Sequence, residues 1–307
     1  MNKEIKGVIP IAAAPFTKNG YLDEDSFQQM IRHLLQAGIH GVTLFGMATE
    51  FYKLTDKERG RMLRLLLDET NNYPSVASMI SVTDHTAENA ISHAQQAERM
   101  GADSLMLLPP FFLQPSAHAI TEHIRKVADS VDIPVIVQYA PLQTNVRIPP
   151  EVFLTLHEKV PNIQFIKVET QPPGRYITSL MDHSQGKLGA LVGYAGVQMP
   201  DVLERRAVGI QPGCSFIELY VQLYQLFQSG EKKGFHTLFQ KLLPYISYWM
   251  QGIELIIKAE KVILYKRGII ASDYCRSPQY TLDNIEMKMI DRFLEQFADE
   301  LRNEGRL

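Results

Sequence analysis

This sequence contains few cysteines and tryptophans and carries little net charge of either sign. Its 307 residues include two cysteines and one tryptophan, and the formal net charge at pH 7 is -3. Cys214 and Cys275 are too few for a disulfide framework and are typical of a protein from a reducing compartment. The weak net charge gives no sign of a basic surface. We therefore expect no nucleic-acid partner.

Long apolar runs are also missing from the chain. No uncharged stretch approaches the roughly 18 residues that a membrane-spanning helix needs. The opening segment Met1–Gly7 is charged and lacks the apolar core of a secretion signal. The composition, 45% hydrophobic and 21% charged, is ordinary for a globular protein. We expect a soluble cytoplasmic protein with no membrane partner.

Short apolar runs alternate with amphipathic helical stretches along most of the sequence. The predicted strands lie at residues 7–14, 41–45, 75–80, 104–108, 134–139, 163–168, 188–192 and 207–210. Predicted helices between them include residues 23–37, 55–71, 85–100, 117–129 and 149–157. A strand followed by a helix, repeated about eight times, indicates a parallel sheet, because each parallel pair needs a crossover connection.

The number of repeats favours a closed barrel over an open sheet. Eight strand–helix units in about 225 residues fit a (β/α)8 TIM barrel. An open nucleotide-binding sheet would carry a glycine-rich turn after its first strand, and Ala12–Phe16 has none. We predict an α/β protein with a barrel domain at residues 1–225 and a C-terminal helical region at residues 226–307. Helices are expected there at residues 231–251, 254–266 and 284–303.

Capping residues mark the starts of three helices. Thr55 and Glu58 have the spacing of a capping box. Ser81 or Thr83 is expected to open the third helix, and Ser116 the fourth.

Lys167 is an amine in a short apolar run, Gln164–Thr170. Burial disfavours the charged form of an amine, and a neutral amine is a nucleophile toward carbonyl groups. On this segment alone the ordinary interpretation is favoured, a lysine at a strand end whose amine reaches solvent. Glu169 follows two residues later, so both side chains lie on one face of the strand.

The other predicted strand ends matter because catalytic groups of a barrel gather at the carboxyl ends of its strands. Gly46–Glu50 fits either a tight turn in which Glu50 caps the next helix or a cradle of backbone N–H groups for a carboxylate. Leu108–Phe112 would form an aromatic wall or simply pack. Tyr139 is either a proton shuttle or a packed tyrosine with a solvated hydroxyl.

Together these segments resemble the pyruvate-dependent class I aldolase superfamily of dihydrodipicolinate synthase and N-acetylneuraminate lyase. The resemblance extends over nearly the whole chain, with every motif in the family's order. The matching segments are Ala14–Phe16 with Asp23, Gly46–Glu50 for the family's Gly-Thr-Thr-Gly-Glu, Leu108–Phe112 for its Pro-Pro-Tyr-Tyr type, Ile133–Pro141 for its tyrosine strand, Phe165–Glu169 for its lysine strand, and Gly209–Gly213 for its Gly-Val-Ile-Ser-Gly. Taken together, these segments favour a catalytic role for Lys167 over a strand-end lysine whose amine reaches solvent.

The resemblance implies a class I lyase acting on a small-molecule 2-oxo acid. Lys167 would form an imine with the C2 carbonyl, and Tyr139 would relay protons. The remaining residues that the resemblance implies for substrate binding are Gly46, Met47, Ala48, Phe112, Gln143 and Gln211. No cluster of His, Asp and Glu residues suggests a metal site, and we expect no cofactor. The family further implies a homo-oligomer, either a tetramer or a dimer.

Several positions depart from the synthases of this family. Met47 replaces a threonine, and Phe111 and Phe112 stand where a second tyrosine would be, so the relay hydroxyls are gone. Gln143 is the nearest polar residue to the position of an arginine that binds the second substrate's carboxylate. Loss of such a charged partner costs about 2–5 kcal/mol. We therefore expect that dihydrodipicolinate synthesis is not the activity.

The segment Lys167–Thr170 is more similar to the branch that dehydrates or cleaves 2-keto-3-deoxy sugar acids. In that branch Glu169 would act as an acid for a leaving hydroxyl, although a structural hydrogen bond explains it equally well. Two alternatives remain open, an enzyme that condenses pyruvate with an aldehyde and a non-catalytic sensor of 2-oxo acids. The presence of both Lys167 and Tyr139 favours an enzyme over a sensor.

Overall fold

The computed structural model describes residues 3–302. Its strands are β1 Gly7–Val8, β2 Gly41–Leu44, β3 Ala77–Val82, β4 Ser104–Leu107, β5 Val135–Tyr139, β6 Ile163–Val168, β7 Gly189–Val192 and β8 Gly209–Ile210. They form one eight-stranded sheet in the order β1-β8-β7-β6-β5-β4-β3-β2. The successive pairs from β3 to β8 are parallel. The predicted (β/α)8 barrel class is therefore confirmed.

Helices follow the strands in the order that the sequence predicts. They are α1 Glu24–Gln36, α2 Asp56–Thr70, α3 Ala87–Arg99, α4 Ala117–Ala128, α5 Pro141–Thr144, α6 Pro150–Lys159, α7 Gly174–Ser184, α8 Met199–Glu204, α9 Ile217–Gln228, α10 Lys232–Trp249, α11 Ile253–Lys266 and α12 Asn284–Gln296. Short 3-10 turns occupy Met47–Thr49, Phe51–Lys53 and Tyr194–Gly196. Strand β6 covers the same residues as predicted, whereas β1 is much shorter than the predicted run.

The expected domain boundary after residue 225 falls inside α9. The division into a barrel domain and a C-terminal helical region remains a prediction. The C-terminal helices themselves are present as α10, α11 and α12. The first two agree closely with the predicted ranges, and α12 ends earlier than predicted.

Two of the three predicted helix starts are confirmed. Thr55 Oγ1 accepts a hydrogen bond from Glu58 N (3.3 Å), and Glu58 Oε2 accepts one from Thr55 N (2.9 Å). Ser116 caps α4. The prediction for α3 is wrong, because its cap is Thr86. Ser81 lies within β3, because the strand ends and the helix begins two residues later than predicted.

The chain forms two compact units. One contains Ala77–Gln211 and the N-terminal segment that ends at Gly7, and the other contains Val8–Val76 and the chain from Pro212 onward. In the first unit every residue of β3, β4 and β5 is buried. Strands covered on both faces are expected in a parallel sheet flanked by helices. No helix within residues 3–302 is long and apolar enough to cross a membrane.

Candidate active site

Lys167 lies near the end of β6 and is almost completely buried. It is in register with Gln138 of β5 and Leu191 of β7. Its side chain is 2% exposed, so the amine does not reach solvent as a strand-end lysine usually does. A buried amine needs a polar partner.

Glu169 provides that partner. Its Oε1 lies 3.4 Å from Lys167 Nζ, and its Oε2 accepts a hydrogen bond of 2.6 Å from Gln138 Nε2. The structure therefore brings together two of the predicted catalytic residues, and Gln138 holds the carboxylate beside the amine. A carboxylate in this position can accept a proton from the amine and return it to a departing group.

The turn after β7 closes tightly over this pair. A Cβ atom on Gly193 would lie 2.0 Å from Glu169 Oε1 and 2.8 Å from Lys167 Cε, so a side chain at this position would displace both groups. The next two residues, Tyr194 and Ala195, have left-handed backbone with φ of 57° and 47°. This conformation costs a residue with a side chain roughly 1–3 kcal/mol and is found mainly at functional sites.

Tyr194 is a phenol of this site that the sequence interpretation missed. Burial raises its pKa above the usual value, the negative charge of Glu169 raises it further, and the side chain of Gln143 acts in the opposite direction. Gln143, a predicted binding residue, thus joins the same group. The available signal was Gly193–Gly196, a glycine-bounded turn at a strand end that contains a tyrosine.

Tyr139 is not brought to Lys167, contrary to its expected role as proton shuttle. It is in register with Val168, while Gln138 is in register with Lys167, so its side chain leaves β5 on the opposite face. Its hydroxyl accepts a hydrogen bond from Ile148 N (3.1 Å), and its ring packs on Tyr176 with centroids 4.7 Å apart. Tyr139 is therefore a packed tyrosine, as the second interpretation of the sequence had it, but its hydroxyl bonds to the Ile148 amide and not to solvent.

We expect Tyr139→Phe to affect stability more than catalysis. The change removes the acceptor for the buried Ile148 amide, which should lower the free energy of unfolding by about 1–3 kcal/mol. Turnover should fall much less than the roughly 10²–10⁴-fold that is typical when a general acid–base group is removed. Urea unfolding and steady-state rates would measure both effects. A large loss of turnover at unchanged stability would restore the shuttle role.

Phe112 and Gln211 occupy different surroundings from those expected. Phe112 is 78% exposed and lines a cavity of about 720 Å³ with His85 and Leu113. Lys167 is not among the residues that line this cavity, so a role of Phe112 in substrate binding stays a prediction. Gln211 is buried just after β8, and its Nε2 lies 3.0 Å from Met79 Sδ.

The Gly46–Ala48 segment belongs to the second unit. Gly46 is extended, and a Cβ on it would lie 2.8 Å from Ile11 Cγ2. The following 3-10 turn starts at Met47, so the amides of Met47 and Ala48 lie at its N-terminal end, where backbone N–H groups lack helical acceptors. Such amides are suitable donors for a carboxylate.

The expectation that Glu50 caps the next helix is wrong, since Thr55 caps α2. Glu50 is instead fully buried and forms ion pairs with Lys53 and Lys261.

A (β/α)8 barrel that buries a lysine against a carboxylate at a strand end is the architecture of a class I lyase, in which a lysine forms an imine with a carbonyl substrate. The chain belongs to the dihydrodipicolinate synthetase family, whose model matches residues 4–297. The protein is accordingly a lysine-imine lyase of that family. The resemblance seen in the strand-end motifs is confirmed at the level of the family.

Similarity to individual proteins extends over most of the chain. It is 26% identical over 247 residues to a 4-hydroxy-tetrahydrodipicolinate synthase of Methanopyrus kandleri, covering 80% of this chain and 81% of that protein. It is 27% identical over 303 residues to an uncharacterized DapA-like lyase of Pyrobaculum islandicum, covering 96% and 99%. One relative is named as a synthase and the other as a lyase without an assigned reaction. The two names agree on the family of this chain but do not identify its substrate.

Solved structures show the same fold. The dihydrodipicolinate synthase from Rhodopseudomonas palustris superimposes with a TM-score of 0.87 at 25% identity, covering 95% of this chain and 97% of that one. YagE, a prophage protein of the dihydrodipicolinic acid synthase family from E. coli K12 solved in complex with pyruvate, gives a TM-score of 0.85 at 23% identity, covering 96% and 99%.

Proposed function

We propose that this lyase forms an imine between Lys167 and a 2-keto-3-deoxy sugar acid, which it dehydrates or cleaves. The observation that carries the proposal is the buried amine of Lys167, 3.4 Å from Glu169 Oε1, with Glu169 held by Gln138. The assignment of both residues as catalytic rests on this geometry together with the family's chemistry.

Imine formation requires proton transfers that Glu169 is placed to make. The neutral Lys167 amine attacks C2 of the substrate, a C–N bond forms, and the C2 oxygen takes up a proton from solvent to become a hydroxyl. Glu169 accepts a proton from the nitrogen and returns it to the C2 hydroxyl, which leaves as water. The product is a protonated imine, whose positive charge makes a hydrogen at C3 acidic.

Dehydration then follows at C3 and C4. Removal of the C3 proton by Glu169 gives an enamine. The enamine electrons expel the C4 hydroxyl, which takes up the proton that Glu169 removed from C3 and leaves as water. Hydrolysis of the imine releases the 2-oxo product and restores the Lys167 amine. The imine itself is the electron sink, so the proposed reaction needs no cofactor.

The polar groups beside Glu169 support a polyhydroxylated substrate. Both Gln143 and the Glu169 carboxylate influence the pKa of the Tyr194 phenol, so the three side chains are neighbours. Neutral amide and phenol groups can bind sugar hydroxyls, whereas an arginine would suit the carboxylate of an amino-acid semialdehyde. The amides of Met47 and Ala48 are proposed, on the family motif, to bind the carboxylate next to the reacting carbonyl. Assembly as a homo-oligomer remains an expectation.

Steady-state assays with two substrate sets test the proposal. One set contains 2-keto-3-deoxy pentonates and hexonates, and the other contains pyruvate with aspartate semialdehyde. We expect turnover of the first set. Efficient condensation of the second set without turnover of the sugar acids would identify a synthase. An imine that forms on Lys167 without turnover of either set would support the sensor alternative.

A further inference from the structure

The cavity beside α4 lies within the first compact unit and has no part in the proposed reaction. Its volume is about 720 Å³. Sites for small molecules have volumes of roughly 300–1,000 Å³, so the cavity is large enough for one. We call it the α4 cavity, and its lining residues are His85, Ala87, Pro110, Phe112, Leu113, Pro115, Ala119, Glu122, His123 and Lys126.

The walls of the α4 cavity are largely apolar. On one side is a single face of α4, because Ala119, His123 and Lys126 are spaced three or four residues apart along the helix. The segment after β4 contributes Phe112 and Leu113, which are 78% and 85% exposed. Large apolar side chains exposed together often mark a binding site. A molecule in the cavity should therefore have an apolar body.

His123 is the most deeply buried polar residue of the α4 cavity. It is 8% exposed, and its Nε2 has no hydrogen-bond partner within residues 3–302. Burial lowers the pKa of His123, so the imidazole is neutral near neutral pH and carries one N–H donor. A buried polar group without a partner destabilises a protein. A polar atom of a bound molecule would supply the missing partner.

The two charged residues of the cavity differ in their pairing. Glu122 Oε2 accepts hydrogen bonds from Arg125 Nε (3.1 Å) and Nη2 (3.0 Å), so its charge is balanced. Lys126 forms no ion pair with a carboxylate in the described part of the chain. The cavity thus presents one ammonium group without a counter-charge. His123 and Lys126 are three residues apart on α4, so both can reach one anionic group.

We infer that the α4 cavity binds a monocarboxylic acid with an apolar body. The carboxylate lies between Lys126 and His123, and the body packs against Phe112 and Leu113. A carboxylate carries the single charge that Lys126 balances, and its two oxygens can accept hydrogen bonds from the ammonium and from the imidazole. A phosphate would bring a second charge close to Glu122. This ligand is distinct from the substrate of the lyase, since Lys167 does not line the cavity.

Isothermal titration calorimetry with 4-phenylbutanoate as the probe tests this inference. Two related compounds separate the contributions of its parts, because 4-phenylbutan-1-ol lacks the carboxylate and butanoate lacks the ring. We expect saturable binding of 4-phenylbutanoate to the wild-type protein. The other two compounds should bind about tenfold more weakly or less well than that.

Variants of α4 show where the probe binds. Lys126→Met and His123→Leu should each raise the Kd about tenfold or more. The His123 variant should remain folded, since Nε2 has no hydrogen bond to lose, and circular dichroism would verify this. The matched controls are Lys159→Met and His118→Leu, two exposed residues outside the cavity, which should bind as the wild-type protein does. Lys167→Met should also bind normally.

Three results would overturn the inference. One is an unchanged Kd in Lys126→Met, an exposed position whose substitution leaves the fold intact. Another is loss of binding in Lys167→Met alone, which would place the probe in the lyase site. The third is no binding to the wild-type protein at millimolar probe. In that case, dissociation of an oligomer by Leu113→Asp in analytical ultracentrifugation would identify a second copy of the chain as the occupant of the cavity.

Discussion

Lys167→Met should abolish the borohydride-stable adduct with 2-oxo acids and reduce turnover on the order of 10⁶-fold, as removal of a covalent nucleophile does. Methionine fills a similar volume without the amine, so the protein should remain folded. The adduct would be sought by intact mass after treatment with pyruvate and borohydride. Turnover would be followed with the preferred substrate.

Lys187→Met provides the control for that experiment, because Lys187 is an exposed lysine of the same unit. It should trap pyruvate as the wild-type protein does. An adduct of undiminished yield in Lys167→Met, mapped to another lysine, would show that Lys167 is not the imine-forming residue.

Glu169→Gln should slow turnover by roughly 10²–10⁴ while an adduct at Lys167 remains detectable. The amide keeps the shape of the side chain and can still accept a hydrogen bond from Gln138. It cannot exchange protons with the amine, with C3 or with a leaving hydroxyl. Rates of product formation and the yield of trapped adduct, measured in parallel, separate the loss of proton transfer from the loss of imine formation.

Glu151→Gln is a suitable companion variant, since that side chain is 56% exposed on α6. Its rate should equal that of the wild-type protein. If Glu169→Gln were equally active, the second interpretation of Glu169, a purely structural hydrogen bond, would be correct.

Much of the fold was readable from periodicity. Apolar runs such as 163–168 and the amphipathic helices between them determine a repeating strand–helix order, and few architectures satisfy such an order with short connections. The pairing of Lys167 with Glu169 was also accessible, because residues two apart on a strand share a face.

The orientation of β5 was not accessible in the same way. All residues of Val135–Tyr139 are buried, so no polar alternation reveals which face points toward Lys167. A register shift between Val135 and Ile136 adds a further displacement relative to β6. Because a slip of one residue exchanges the faces of a strand, Gln138 takes the place expected for Tyr139.

Contacts between residues distant in sequence could not be predicted either. Tyr194 reaches the site through two residues with left-handed backbone, which local composition does not specify. Glu50 and Lys261 come from separate regions of the chain, and the opposite charges near them in sequence, Lys53 and Glu260, do not indicate that the two residues pair with each other.

The burial of α11 also bears on modularity and protein engineering. Although a barrel ending near residue 225 looks like a natural minimal fragment, excision there would remove Glu260 and Lys261. The amides of Cys214 and Ser215 would lose their acceptor, and Glu50 would lose one of its two cations. A chimaera or truncation that keeps the loops after β2 and β8 must therefore carry α11 with them, so the smallest transferable module extends well beyond the eight strand–helix repeats.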